Sequence, residues 1–192
     1  KKAAALEPTD PSLQYNLAKA LSSSGNEKEA LIHHQRAVRF MPQNPEAWLN
    51  YGKSLLALNR NEDAIKTLDN ALQFNAQYPE ALLNKAIALK NLQQEEGALT
   101  IIDQVLTLHP EFYEGWLNKA IILKDLKRID ESFSCFDKAL RINPTKKDAW
   151  LSVGNTLLDT GKLKDALACY EKLIELDPSY PEGHIKCGMV LE

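Results

Sequence analysis

The chain has 192 residues, of which 44% are hydrophobic and 26% charged, and these are the proportions of an ordinary folded protein. Its 23 basic and 26 acidic residues leave a net charge of −3, which argues against a nucleic-acid partner, because phosphate binding needs clustered Lys and Arg. No apolar run approaches the ~18 residues of a membrane span, so we also expect no membrane partner.

A proline that recurs every 34 residues sets the organisation of the chain. At the one slot that departs from the pattern, Ala76 replaces proline and Pro79 follows three residues later. A fixed period of this length is typical of a solenoid of repeated helical hairpins. Residues 1–192 are therefore predicted to form a single array. The recurring prolines are Pro8, Pro42, Pro110, Pro144 and Pro178.

The first helix of each repeat is predicted from one face of apolar and small residues. When each repeat is counted from the third residue after its proline slot, positions 4, 7, 8 and 11 have the spacing of one helix face. Position 8 is always Ala or Gly, which lets a second helix cross closely, and position 11 is always leucine. The repeats begin at Pro11, Pro45, Pro79, Tyr113, Lys147 and Pro181.

The second helix carries the complementary face, with a small residue at position 20 and larger apolar residues at position 24, except for His34. A polar break separates the two helices, and Gly25 and Gly161 in it suit a helix C-terminus. The proline near position 32 ends the second helix, because its ring and missing N–H cannot continue the hydrogen-bond ladder.

Two repeats carry a family signature most fully. The matching residues are Pro42, Trp48, Leu49, Asn50, Tyr51, Gly52, Ala64 and Ala71, and then Trp150, Gly154, Leu157, Ala166, Tyr170 and Pro178. They resemble the tetratricopeptide repeat family. The resemblance implies an all-α, right-handed superhelical solenoid of antiparallel helix pairs. It divides the chain into a partial repeat at 1–8, five full repeats that start at 11, 45, 79, 113 and 147, and a partial repeat at 181–192. We interpret the chain as a fragment of a longer array.

Position 4 is a tryptophan in three repeats, and we expect Trp48, Trp116 and Trp150 to be buried between the paired helices. His184 stands at the same position and is expected to replace the tryptophan in the packing of its repeat. Lys85 stands at the usually apolar position 7, where its aliphatic stem can line the helix contact while the ammonium group reaches water.

The three cysteines are Cys135, Cys169 and Cys187, an odd number without the spacing of a disulfide framework. Cys135 and Cys169 occupy the same slot of successive repeats, so they should lie ~8–10 Å apart. A disulfide requires Cα atoms within ~7 Å. We therefore expect reduced thiols, which favour a cytoplasmic location.

No catalytic motif, phosphate-binding loop or metal-ligand spacing appears in the sequence, so we expect a chain that is not an enzyme and needs no cofactor or metal. His33 and His34 are neighbours on a helix and point in different directions, so we interpret them as packing and surface residues.

The candidate binding surface is the face of the first helices opposite their core, which in the family lines the concave groove. It combines an apolar strip, an asparagine ladder and lysines. The strip is Leu49, Leu83, Leu117, Leu151, Ile87 and Ile121; the ladder is Asn16, Asn50, Asn84 and Asn118; the lysines are Lys19, Lys53, Lys90 and Lys124. An amide both donates to and accepts from a peptide backbone, so the ladder suits an extended peptide. The alternative is structural: the leucines pack between neighbouring repeats.

One family-specific site is not expected. Co-chaperones that grip the C-terminal carboxylate of heat-shock chaperones use Lys at position 5 and Asn at position 9 of a first repeat. Here position 5 is aromatic or aliphatic, and Lys19 and Lys53 stand at position 9.

The function that this pattern favours is a non-catalytic protein–protein interaction scaffold that binds an extended peptide or a partner helix in the concave groove. Two alternatives remain. The chain could be the substrate-recognition or targeting region of a larger enzyme such as a glycosyltransferase, because in some of those an asparagine row lines the superhelix. It could also self-associate end to end through its incomplete terminal repeats.

Overall fold

The structure of the chain, a computed structural model, describes residues 10–191, and the regular elements within them are eleven α-helices. The all-α fold expected from the 34-residue period is confirmed. The chain divides into two compact units between Leu108 and His109. The partial repeat predicted at 1–8 lies outside the described residues.

The first unit contains six of the helices. They are α1 (Pro11–Ser23), α2 (Glu27–Phe40), α3 (Pro45–Ala57), α4 (Asn61–Phe74), α5 (Pro79–Asn91) and α6 (Glu95–Leu108). The second unit contains five. They are α7 (Tyr113–Asp125), α8 (Ile129–Ile142), α9 (Lys147–Asp159), α10 (Leu163–Leu176) and α11 (Pro181–Leu191). Within each unit, the two helices of a repeat pack most extensively on each other, and each pair also packs on the next helix along the chain.

Four of the six first helices that the structure describes, α1, α3, α5 and α11, begin with proline, whereas α7 and α9 have neither a proline nor a side-chain cap at their start. Side-chain caps are present at α1 and α3. Asp10 Oδ1 accepts hydrogen bonds from the backbone N–H groups of Ser12 at 2.9 Å and Leu13 at 3.2 Å. Asn44 Oδ1 makes the same pair of bonds at the start of α3. Each satisfies N–H groups that have no partner within the helix.

The turns inside the repeats share one backbone conformation. The residue at position 15 has a positive φ in all five: Gly25 (78°), Asn59 (57°), Gln93 (60°), Lys127 (63°) and Gly161 (75°). The next residue then donates its N–H to the carbonyl of the position-11 leucine at 2.9 Å, which closes the C-terminus of the first helix. The cap predicted from the two glycines is therefore present in every repeat.

Small residues stand where the two helices of a repeat cross. A Cβ atom added to Gly52 would lie 2.8 Å from Leu68 Cγ, and one added to Gly154 would lie 2.5 Å from Tyr170 Cε1. Ala18 is fully buried at the same position. A larger side chain at position 8 would hold the second helix away from the first.

The tryptophans are less buried than predicted: Trp48, Trp116 and Trp150 are only partly buried, and Trp48 and Trp150 pack against core clusters. In each, the indole Nε1–H donates to the carbonyl oxygen of the proline six residues earlier, at 2.7–2.8 Å. The indole N–H needs an acceptor, and the loop carbonyl at the edge of the repeat supplies one. His184 Nε2 lies 2.9 Å from the Pro178 carbonyl oxygen, so the imidazole reproduces the contact of the indole.

The ion pair of Lys85 explains a charged residue at position 7. Its ammonium lies 2.6 Å from Asp69 Oδ1, and its side chain is 25% exposed.

The three cysteines are free, and Cys135 and Cys169 are buried.

Candidate functional site

The leucines of the predicted apolar strip are mostly buried in the structure. The exposed fraction is 3% for Leu49, 6% for Leu83 and 7% for Leu117, and Leu151 is partly buried. Leu49 belongs to a core cluster that includes Ala81 and Ala88 of α5. Leu49 therefore packs between neighbouring repeats, which is the structural alternative for this position.

The isoleucines of the strip are more accessible. Ile87 in α5 and Ile121 in α7 are each partly exposed, as is Lys90 one turn from Ile87. Ile87 and Ile121 belong to different units, and each is an apolar contact point on a first helix of its own unit.

The asparagine ladder is partly engaged by the helices that carry it. Asn84 Nδ2 donates to the carbonyl oxygen of Glu80 at 2.6 Å. Asn118 Nδ2 donates to that of Glu114 at 2.8 Å. Asn16 is exposed. Each bond uses one of the two amide N–H groups, so the amide oxygen and the second N–H remain for a ligand.

Two tyrosines connect the first helices of adjacent repeats. Tyr15 Oη donates to Glu46 Oε1 at 2.5 Å and accepts from Asn50 Nδ2 at 3.0 Å. Tyr113 Oη donates to Asp148 Oδ1 at 2.5 Å. Burial and the adjacent carboxylates raise the pKa of both tyrosines above the usual value, so the hydroxyls stay protonated. Glu46 and Asp148, which both stand at position 2 of a repeat, thus have a structural use.

The predicted lysines lie at the edges of these helices. Lys19 Nζ is 3.6 Å from Glu46 Oε1, and Lys124 Nζ is 3.8 Å from Asp159 Oδ2. Both pairs are partly exposed, so they contribute little to stability. Lys53 is exposed. The ammonium groups are accessible to an anionic ligand.

A cavity of about 300 Å³, lined by residues of polar type, opens between α1, α2 and α3 in the first unit. It joins three predicted residues with five that the sequence reasoning did not select. Its lining consists of Lys19, Ser22, Ser23, Glu27, His34, Asn50, Lys53 and Ser54.

The floor of this cavity is a hydrogen-bonded cluster around His34, which is 1% exposed. Ser22 Oγ lies 3.4 Å from His34 Nε2 and 3.2 Å from Ser54 Oγ, and it donates to Glu27 Oε2 at 3.1 Å. His34 Nδ1 is buried without a hydrogen-bond partner. Burial lowers the pKa of His34 to about 4, so the imidazole is neutral near pH 7.

A second cavity, of about 210 Å³, lies in the other unit at equivalent register positions. It is lined by Ile121, Lys124, Phe136, Ser152, Asn155 and Thr156. Every one of these residues is 102 positions, or three periods of 34, after a residue that lines the first cavity. The repeat therefore forms the same cavity in each unit, with different side chains.

Residues 10–191 also bear on two other kinds of function. In this part of the chain, no group of three or more His, Cys, Asp or Glu side chains could hold a metal ion. None of the helices described here has the length and hydropathy needed to cross a membrane.

Family models for the tetratricopeptide repeat match the sequence over most of its length. Models described as tetratricopeptide repeat match residues 23–82, 80–111, 113–146 and 135–168, and a model described as TPR repeat matches residues 154–192. A comparison of the sequence with curated proteins finds no match.

Several solved structures share the fold at low sequence identity. TTC0263, a thermophilic TPR protein of Thermus thermophilus, is 20% identical, with a TM-score of 0.86 over 95% of this chain and 99% of that chain. PilW, described as a type IV pilus biogenesis factor, is 19% identical, with a TM-score of 0.81 over 94% and 86%. YrrB, described as a TPR protein with an unusual peptide-binding site, is 22% identical, with a TM-score of 0.60 over 96% of each chain.

Proposed function

This chain belongs to the tetratricopeptide repeat family, and from that premise we propose that it is a non-catalytic scaffold for protein–protein interaction. Its partner is an extended peptide or a partner helix. The ligand lies on the exposed side of the first helices, along the asparagine ladder and the lysines Lys19 and Lys53.

The observation that carries this proposal is the recurrence of the cavity at equivalent positions in both units. A cavity formed by the same register positions in each unit suits a peptide ligand, because an extended peptide presents its side chains one at a time at regular intervals. Cavities of 210–300 Å³ are at or below the small end of ligand pockets, so each holds a side chain better than a whole small molecule.

The polar groups of the first helices support the same ligand. The asparagine amides retain an oxygen and an N–H for a peptide backbone. Ile121 adds an apolar contact to the lining of the second cavity. The peptide-binding site in the description of YrrB is a property of that protein, and it supports only the compatibility of this fold with such a ligand.

A peptide selection with matched isoleucine variants tests the proposal. A random dodecapeptide display library is selected on the full chain, and the affinities of the enriched peptides are measured by calorimetry. We expect Ile87→Glu and Ile121→Glu to weaken binding about tenfold or more, since each places a charge beside an apolar contact. Ile32→Glu is the control, because Ile32 is 51% exposed on the second helix α2.

Equal binding by all three variants, with unchanged circular dichroism, would show that the first helices do not hold the ligand. If the library yields no enriched peptide, the peptide-binding proposal itself is wrong. Light scattering over a range of protein concentrations would then separate the self-associating alternative from a monomeric targeting region.

A further inference from the structure

The first cavity differs from its counterpart in the polarity of its lining residues and in the number of charged side chains, although the charges of both linings sum to +1. Its lining includes two lysines and one glutamate, so the charged groups sum to +1. Lys53 is exposed and the Lys19 side chain is 52% exposed, whereas His34 and Ser54 are 1% and 2% exposed. The positive groups therefore stand at the solvent side, and the uncharged polar groups form the floor.

The second cavity has apolar residues at two of the positions that are polar in the first. Phe136 takes the place of His34, and Ile121 takes the place of Lys19. In the repeats between them, position 24 holds Leu68 and Ile102, both fully buried. A polar residue at position 24 is thus not required to pack the hairpin, and in the first cavity it leaves a buried nitrogen, Nδ1, without a partner.

We propose that the first cavity is the subsite for one carboxylate side chain, an Asp or a Glu, of the peptide whose binding was proposed above. The ammonium groups of Lys19 and Lys53 attract the carboxylate, and the amide of Asn50 donates to it. The Ser54 hydroxyl extends the polar wall inward. This inference rests on the proposed peptide-binding function and assigns its sequence preference.

Glu27 sets the charge that the subsite accepts. Its carboxylate accepts from Ser22 and lines the same cavity, and Glu46 Oε1 lies 3.6 Å from Lys19 Nζ, so a ligand anion meets negative charge as well as the two ammonium groups. A monoanionic carboxylate fits this balance better than a phosphoryl group, which carries close to two negative charges near pH 7. A lysine or arginine side chain would face both ammonium groups and is excluded by repulsion.

The same dodecapeptide selection tests the subsite, with the unaltered chain as the target. We expect the enriched peptides to share an Asp or Glu at one fixed position. Replacing that residue by Asn or Gln should weaken binding about tenfold. Lys53→Glu should remove the acidic preference and select Lys or Arg at that position. Asn50→Asp, an isosteric change that adds a charge in the wall, should also weaken the acidic peptide.

Lys66→Glu is the matched control, because Lys66 is an exposed lysine of the same unit that does not line the cavity. It should change the affinity of the acidic peptide less than about twofold. A double-mutant cycle between Lys53→Glu and the peptide substitution separates direct contact from general charge, since only contacting groups give non-additive losses.

Three results would overturn the subsite. One is enriched peptides without a fixed acidic position, in which case the proposed function stands if Ile121→Glu still weakens them. Another is equal losses for Lys53→Glu and Lys66→Glu. The third is tighter binding when phosphoserine replaces the acidic residue, which would assign the cavity to a phosphorylated ligand. If no peptide is enriched, the subsite and the proposed function fall together.

Discussion

His34 connects the stability of the first unit to pH. The folded chain holds its imidazole neutral, with a pKa of about 4, and an unfolded chain has the ordinary value near 6.5. Below pH 6.5 the unfolded state therefore binds a proton that the folded state does not. The proton shifts the equilibrium toward unfolding, and the effect grows until the pH falls to about 4.

We predict that this residue lowers the free energy of unfolding by about 2 kcal/mol between pH 7 and pH 5. The measurement is urea denaturation at both pH values for the natural chain and for His34→Phe, the residue found at the equivalent Phe136. The variant should lose less stability over that interval. An equal loss in both proteins would mean that His34 already carries its proton in the folded chain.

Sequence periodicity locates His34 but does not describe its surroundings. Position 24 is on the core face, so burial could be inferred from the register alone. Its partner Ser22 comes from α1, and Ser22 in turn contacts Ser54 of α3; a repeat period contains no information on which polar side chains meet. The one indication of a polar cluster in the sequence was His34 itself, a polar residue at the position where the next two repeats have Leu68 and Ile102.

Trp116 tests the tryptophan slot directly. The indole is partly buried, donates to the Pro110 carbonyl at 2.7 Å, and lies under the Lys138 ammonium, 4.0 Å from the ring centroid. We predict that Trp116→Ala costs about 2–3 kcal/mol of stability, less than the ~3–5 kcal/mol expected for a fully buried tryptophan. Thermal and urea unfolding measure this loss.

The conservative change at this slot is Trp116→His, because His184 makes the equivalent contact with its own loop proline. It should cost less than Trp116→Ala, since an imidazole can keep the hydrogen bond to the carbonyl. Equal costs for the two substitutions would show that the apolar area alone matters there.

At the scale of the helices, the turns of the repeats contain avoidable strain. Gln93 and Lys127 have φ values of 60° and 63°, a region that costs most L-residues about 1 kcal/mol or more. Gly25 and Gly161 occupy the same position without that cost.

We predict that Gln93→Gly and Lys127→Gly each raise the free energy of unfolding by about 0.5–1 kcal/mol, after the larger entropy of an unfolded glycine is subtracted. Urea denaturation measures the gain. The control is Lys66→Gly inside α4, where the helical backbone makes glycine unfavourable and about 1 kcal/mol should be lost. A loss at the turn positions would contradict the assignment of the strain.

The helices themselves were largely predictable, because proline, small residues and leucine recur with one period and each has a local reason for its place. The candidate binding face was less predictable from the sequence. A helical wheel puts Leu49 opposite the core of its own hairpin, yet α5 of the next repeat contributes Ala81 and Ala88 to the cluster that buries it. The sequence of one hairpin therefore does not show which of its residues the next repeat buries.

At the scale of the whole molecule, the single array over residues 1–192 stays a prediction, since the chain divides into two compact units between Leu108 and His109. The 34-residue register continues across that division, from Ala98 at position 20 of the third repeat to Ala120 at position 8 of the fourth. In a repeat array, each repeat gains stability from its neighbours, so a local defect lowers the protection of adjacent repeats.

Native-state hydrogen exchange on the intact chain tests this coupling. Ala120 is fully buried, and Ala120→Val should destabilise α7 by about 1–3 kcal/mol through overpacking. If the chain is one array, the slowest-exchanging amides of α5 and α6 should lose part of that protection, while amides of α1 and α2 change least. The reverse experiment places the defect in the first unit with Ala86→Val and reads the amides of α7. Two units that unfold independently would confine each loss to the unit that carries the substitution, and the single-array prediction would then be wrong.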